Sequence, residues 1–142
     1  MNLKMFKFQA DLSKLLNRYI NKEHKYGQND CNILVAEYID MTCGTDYASK
    51  LISKYDSVQS GLKHCKELTG FNNVLEACEK HFEKSNIIET GSIVLIKKTY
   101  RRRVYYVASI VFNDKAIIEH NNKYALINVK DFEYELIFNR RK

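Results

Sequence analysis

The stretch Lys25–Asp40, KYGQNDCNILVAEYID, decides how the rest of the chain is read. Its first half carries a glycine among polar residues, and its second half is almost wholly apolar. Asp30 is a strong helix N-cap, because its carboxylate accepts hydrogen bonds from the free amides of a first turn. Cys31, Ile33, Leu34, Val35, Ala36, Tyr38 and Ile39 then put apolar side chains on nearly every side of the following helix. A helix of that kind is central and buried. Gly44 is placed to end it in a left-handed cap. Cys31 therefore stands in the first turn, where free amides and the positive end of the helix dipole favour a thiolate. That is the position of a cysteine nucleophile. It is equally the position of a small residue filling a core.

The flanks supply the layers around this helix. Leu12, Leu15, Leu16, Tyr19 and Ile20 recur at helical spacing and predict a first helix from about Phe8 to Lys22. After the central helix come a short amphipathic segment, TDYASKLISKY, and two capped ones, DSVQSGLKHCKELTG and NNVLEACEKHFEK. His64 and His81 lie on the last two among lysines and glutamates, and read as surface residues rather than ligands. From about residue 87 the period changes. GSIVLIKK, RRVYYVASIVF, KAIIEH, KYALINV and EYELIF have the composition of strands. Asn113-Asp114 and Asn121-Asn122 suit tight turns between them. The expectation is one α+β domain over 1–142, helical over 1–86 and strand over 87–142. An antiparallel meander of about five strands packs on the buried helix.

Composition narrows the class. The chain has 142 residues, 45% hydrophobic and 28% charged, the balance of a folded globular domain. Apolar runs fall far short of the roughly 18 residues of a membrane span, and no signal peptide is read at the N-terminus. Cys31, Cys43, Cys65 and Cys78 form no CxxC pair and fit no zinc spacing, so neither metal nor cofactor is expected, and synthesis in a reducing cytoplasm is. Proline is absent while Lys, Asn, Ile and Tyr abound, as in products of AT-rich phage or bacterial genomes. The net charge of +6 gathers at Arg101-Arg102-Arg103, between two strands, and at Arg140-Arg141-Lys142. Basic clusters bind phosphates or acidic protein surfaces, or are simply solvated.

The Asp-Cys segment resembles the nucleophile segment of NlpC-like cell-wall peptidases. In that family an aromatic-Gly stretch leads to Asp-Cys, and the Cys opens the central helix of a papain-like fold. The chain is closer to a phage-encoded, tail-associated branch, with Thr42-Cys43-Gly44-Thr45-Asp46 matching its Thr-Gly step. Gly91-Ser92-Ile93-Val94-Leu95 is similar to its Gly-Asp strand, and Val107–His120 to its His-Val-Gly-Ile hairpin. The resemblance implies Cys31 as nucleophile, but it puts Val107 at the position of the base histidine and Ser92 at that of the Asp. The orienting polar residue falls near Glu119 or His120. His120, held by Glu119 or Asp114, is one candidate partner for Cys31, and His24 is the other.

Three readings follow. The first is a catalytically degenerate NlpC-like domain serving as a structural or adaptor part of a phage particle, at tail or neck. It would be made in the host cytoplasm and reside in the virion. Its partners would be other virion proteins, met through Arg101, Arg102, Arg103, Arg140 and Arg141, and a ring-like homo-oligomer is open to it. The second is an active cysteine peptidase or amidase on peptidoglycan, using Cys31 and His120. The third is a basic nucleic-acid-binding accessory protein, which needs both arginine clusters on one face together with exposed aromatics such as Tyr100 and Tyr105.

Overall fold

A computed structural model of the protein describes residues 3–141. Five helices precede or flank a six-stranded sheet: α1 Leu3–Asn17, α2 Cys31–Cys43, α3 Tyr47–Leu51, α4 Val58–Thr69 and α5 Val74–His81. The strands are β1 Phe82–Ser85, β2 Ile93–Tyr100, β3 Arg103–Phe112, β4 Lys115–His120, β5 Lys123–Asn128 and β6 Leu136–Arg140. All neighbours are antiparallel, in the order β1-β6-β2-β3-β4-β5. The fold is α+β, with the helices packed on the sheet. No helix among the described residues is long and apolar enough to cross a membrane.

Helix α2 forms as its sequence demands. Asp30 accepts from the Ile33 amide, and Gly44 closes the helix in the left-handed region. Ile33, Leu34, Val35, Tyr38 and Ile39 are each at most 2% exposed. Leu34, Val35, Tyr38 and Ile39 join Leu12, Leu15 and Leu16 of α1, Cys78 of α5 and the strand residues Ile93, Leu95 and Ile110 in the main core. Full burial of such side chains stabilises by about 1.5–3 kcal/mol each. A second contact ties the turn after α1 to α2: Arg18 pairs with Glu37 at 2.6 Å, and the Tyr19 hydroxyl donates to the same carboxylate.

Several features differ from expectation, beginning with α1, which starts at Leu3 rather than near Phe8. The first helix ends at Asn17 rather than near Lys22, because the chain turns at Asn21 (φ 65°) to lie along β5. The Asn21 amide donates to the Tyr124 carbonyl at 2.8 Å and the His24 amide to the Asn122 carbonyl at 2.7 Å. The sheet has six strands rather than five, because Phe82–Ser85 leaves the expected helix to pair with β6. Phe82 is buried, stacked on Tyr38 at 5.6 Å. The meander holds only from β2 to β5, since β6 returns between β1 and β2. Pairing between distant segments overrides local helix propensity at the end of α1 and at Phe82–Ser85, and it sets the strand order.

Candidate functional site

The site arises where the sheet fails to close. β3 and β4 share two pairs, Val111–Ala116 and Phe112–Lys115, and then part. Ser109 donates its hydroxyl to the Ile117 carbonyl where they diverge. The gap between the splayed halves is a cavity of about 370 Å³. Its walls come from β2, β3, β4, the start of β5, the amino ends of α2 and α5, one face of α4 and the segments carrying His24, Tyr26 and Tyr55.

Asp30 organises the α2 side. It is 2% exposed and accepts from the Gly27 amide at 2.7 Å, the Ile33 amide at 3.0 Å and the Tyr55 hydroxyl at 2.5 Å. Gly27 is required here: its φ is 81°, and a β-carbon would lie 1.8 Å from the Tyr55 carbonyl oxygen. The Ser53 amide donates back to the Gly27 carbonyl at 2.7 Å. The glycine and aspartate of the Lys25–Asp40 stretch thus lock the loop after α3 onto the turn that starts α2.

Cys31 is half-buried in the first turn of α2 and borders the cavity. Burial first and the charge of Asp30 second push its thiol up to about 12, against the lowering effect of the Ala108, Cys31 and Asn32 amides. The helix terminus was expected to favour the thiolate. Desolvation and the neighbouring carboxylate outweigh it. The sulfur is a protonated thiol at neutral pH.

The expected partners are placed as follows. His120 ends β4 opposite Lys123, is exposed, and does not border the cavity. Glu119 borders it and accepts from the Asn122 amide at 2.9 Å. Asp114 lies in the exposed β3–β4 turn. Val107 borders the cavity, but β3 turns Tyr106, Ala108 and Ile110 toward the α2 core, so Val107 has the opposite parity. It is the Ala108 main chain that reaches the sulfur. His24 does enter the cavity wall, because the chain after α1 is tied to β5. Its ring stands edge-on to Tyr26 at 4.6 Å and tilted to Tyr124 at 5.9 Å. No histidine hydrogen-bonds the Cys31 sulfur among the described residues. Ser92 is fully buried away from the cavity. It accepts from the Glu89 amide at 2.9 Å and donates to Asn139 at 2.5 Å, a clip between the start of β2 and β6. No three His, Cys, Asp or Glu side chains gather as a metal set among the described residues.

A family model matches residues 4–134. The chain belongs to that family, the domain of unknown function DUF6950. No curated protein matches the chain, and no solved structure does. The matched span contains every residue that lines the cavity of this DUF6950 domain.

Sequence reasoning singled out Tyr105 only as an exposed aromatic for nucleic acid and did not find the other tyrosines of the site. Tyr26, Tyr55, Tyr105, Tyr106 and Tyr124 all line it, from four separate parts of the chain. Ten tyrosines in the sequence were the only signal. Elsewhere on the DUF6950 domain, Arg101 and Arg102 form the β2–β3 turn, both in the left-handed region (φ 48° and 68°). Arg103 donates to the Leu62 carbonyl at 3.3 Å. Arg140 is a strand residue, not part of a solvated tail. It pairs with Phe82, and its guanidinium lies 3.4 Å over the Phe8 ring. Arg141 donates to the Glu79 carbonyl at 3.1 Å. The two clusters sit beyond opposite ends of β2, whose eight residues span roughly 25 Å. Lys142 and the Tyr100 side chain lie outside the described residues.

Proposed function

We propose that this chain is a catalytically degenerate NlpC-like domain of papain-like fold that serves as a structural or adaptor component of a bacteriophage particle, at the tail or neck. The observation that carries the degenerate reading is Cys31. It occupies the first turn of a buried helix against antiparallel strands, where the resemblance puts a nucleophile, yet its thiol is held protonated and no histidine is bonded to it. A nucleophile of this kind needs an adjacent base in hydrogen-bond reach. Val107 cannot accept a proton, and His120 faces solvent away from the cavity. The virion placement is supported by the resemblance and by the AT-rich composition. Protein partners suit the basic residues better than nucleic acid does, because the arginine clusters at opposite ends of β2 form no single basic face.

The test has two arms. Incubated with peptidoglycan stem peptides, the purified protein yields no cleavage, and Cys31→Ala changes nothing. Cys31-dependent cleavage overturns the degenerate reading. Mass spectrometry of purified particles finds the chain in fixed stoichiometry with tail or neck proteins, and its absence overturns the adaptor role.

The second reading, an active peptidase or amidase, is favoured by one observation: His24 borders the same cavity as Cys31. It requires the ring to swing from its packing against Tyr26 and Tyr124. A His24→Gln variant that abolishes stem-peptide cleavage would establish it.

A further inference from the structure

The cavity beside Cys31 contains a buried polar group that the protein itself does not satisfy. Tyr124 is 2% exposed and lines the cavity, and its hydroxyl has no hydrogen-bond partner among the described residues. A buried hydroxyl without a partner destabilises a fold, and native structures rarely retain one without a reason. The ring cannot turn the hydroxyl away freely. Tyr19 packs on it edge-to-face at 5.6 Å, and His24 lies tilted against it at 5.9 Å. Cys31 borders the same cavity. A thiol and an unsatisfied hydroxyl thus belong to one cavity of about 370 Å³, the size of small-molecule sites.

We propose that this cavity binds an uncharged ligand whose acceptor oxygen takes hydrogen bonds from the Tyr124 hydroxyl and the Cys31 thiol, with a flat body lying against Tyr26 and Tyr105. The acceptor answers the Tyr124 hydroxyl, the one buried side-chain polar atom left without a partner among the described residues. Neutrality follows from the surroundings. The charged side chains that line the cavity carry both signs, Asp30 and the exposed Glu119 against Lys98, and the two Asp30 oxygens are already engaged by Gly27, Ile33 and Tyr55, so the lining favours neither an anion nor a cation. Tyrosine rings suit a flat neutral body, which stacks on them at small cost in side-chain freedom.

Three probes of one shape and three charges test this: benzamide, benzoate and benzamidine, titrated into the full chain and followed by NMR shifts of the cavity tyrosines. Benzamide binds in about the millimolar range expected of a fragment this small, and the charged pair binds more weakly. Tyr124→Phe removes the hydroxyl and keeps the ring. It weakens benzamide binding about five- to tenfold, the worth of one hydrogen bond, while the melting temperature stays or rises. Tyr105→Leu, on a half-exposed wall, also weakens binding without unfolding the protein. The proposal is overturned if benzamide fails to bind, if a charged probe binds more tightly, or if Tyr124→Phe binds benzamide as well as the native chain does. The site does not depend on the virion reading. Peptide cleavage reports the state of the thiol and benzamide shifts report the cavity, so either result can fail without the other.

Discussion

Asp30 and Tyr124 face the same cavity from opposite walls and are equally buried, each 2% exposed. Their hydrogen bonding differs completely. Asp30 collects three donors, from the turn before α2, from the first turn of α2 and from the loop after α3. The Tyr124 hydroxyl collects none among the described residues. A polar group can be buried to hold a fold together, or be left open for something else to satisfy. The α2 wall is architecture by this measure, and the β5 wall carries a hydroxyl that the fold leaves unmet among the described residues.

Replacing the two residues should therefore act in opposite directions. Asp30→Ala removes the cap of α2 and strands the Gly27 amide and the Tyr55 hydroxyl. A loss of about 3 kcal/mol or more in urea unfolding is expected, and a loss below about 1 kcal/mol would show that the network is not structural. Gly27→Ala forces an L-residue to φ 81° against the Tyr55 carbonyl and should cost about 2 kcal/mol or more, read from the same midpoint shift. The hairpin tip offers a control remote from the cavity. Arg101 and Arg102 both occupy left-handed backbone where Asn-Gly is preferred. Replacing the pair with Asn-Gly should stabilise the isolated domain by about 1–2 kcal/mol. If it also weakens particle assembly, the arginines are held there for a partner.

Proton linkage tests the thiol side of the cavity. Unfolded cysteines ionise near about pH 8.5, whereas Cys31 and Cys78 keep their protons up to about 12 when folded. Between these values the unfolded chain binds fewer protons, so stability should fall as pH rises and stay nearly flat below about 7.5. Cys31→Ala should make that fall shallower, and a urea midpoint rising from pH 8 to pH 10 would contradict the assignment. Exposed Cys43 should alkylate faster than Cys31 in the native chain at every pH in this range. The smallest effect is expected at Tyr124. Tyr124→Phe should raise stability by no more than about 1 kcal/mol in the unliganded protein, and a clear loss would mean that the hydroxyl serves the fold.

Local signals explain why parts of the molecule were readable in advance. Asp30 as cap, Gly44 as stop and the apolar surround of Ile33 to Ile39 act over one helix, so the buried α2 and the α+β class followed from the sequence alone. The hairpin turns at 101–102, 113–114 and 121–122 were legible for the same reason. Cys31 was found as a candidate, but its protonation state was not. The helix terminus acts through neighbouring amides, whereas the opposing desolvation comes from strands more than seventy residues away. What only the tertiary structure decided has one physical origin, which is long-range pairing. It moved Phe82–Ser85 from helix to strand, placed β6 between β1 and β2, and laid residues 20–24 along β5, bringing His24 into the cavity wall. It also parted β3 from β4 after two pairs, which made the cavity, and it set tyrosines from four parts of the chain around one thiol. No residue pattern along the chain encodes where two strands separate, because that depends on what packs between them.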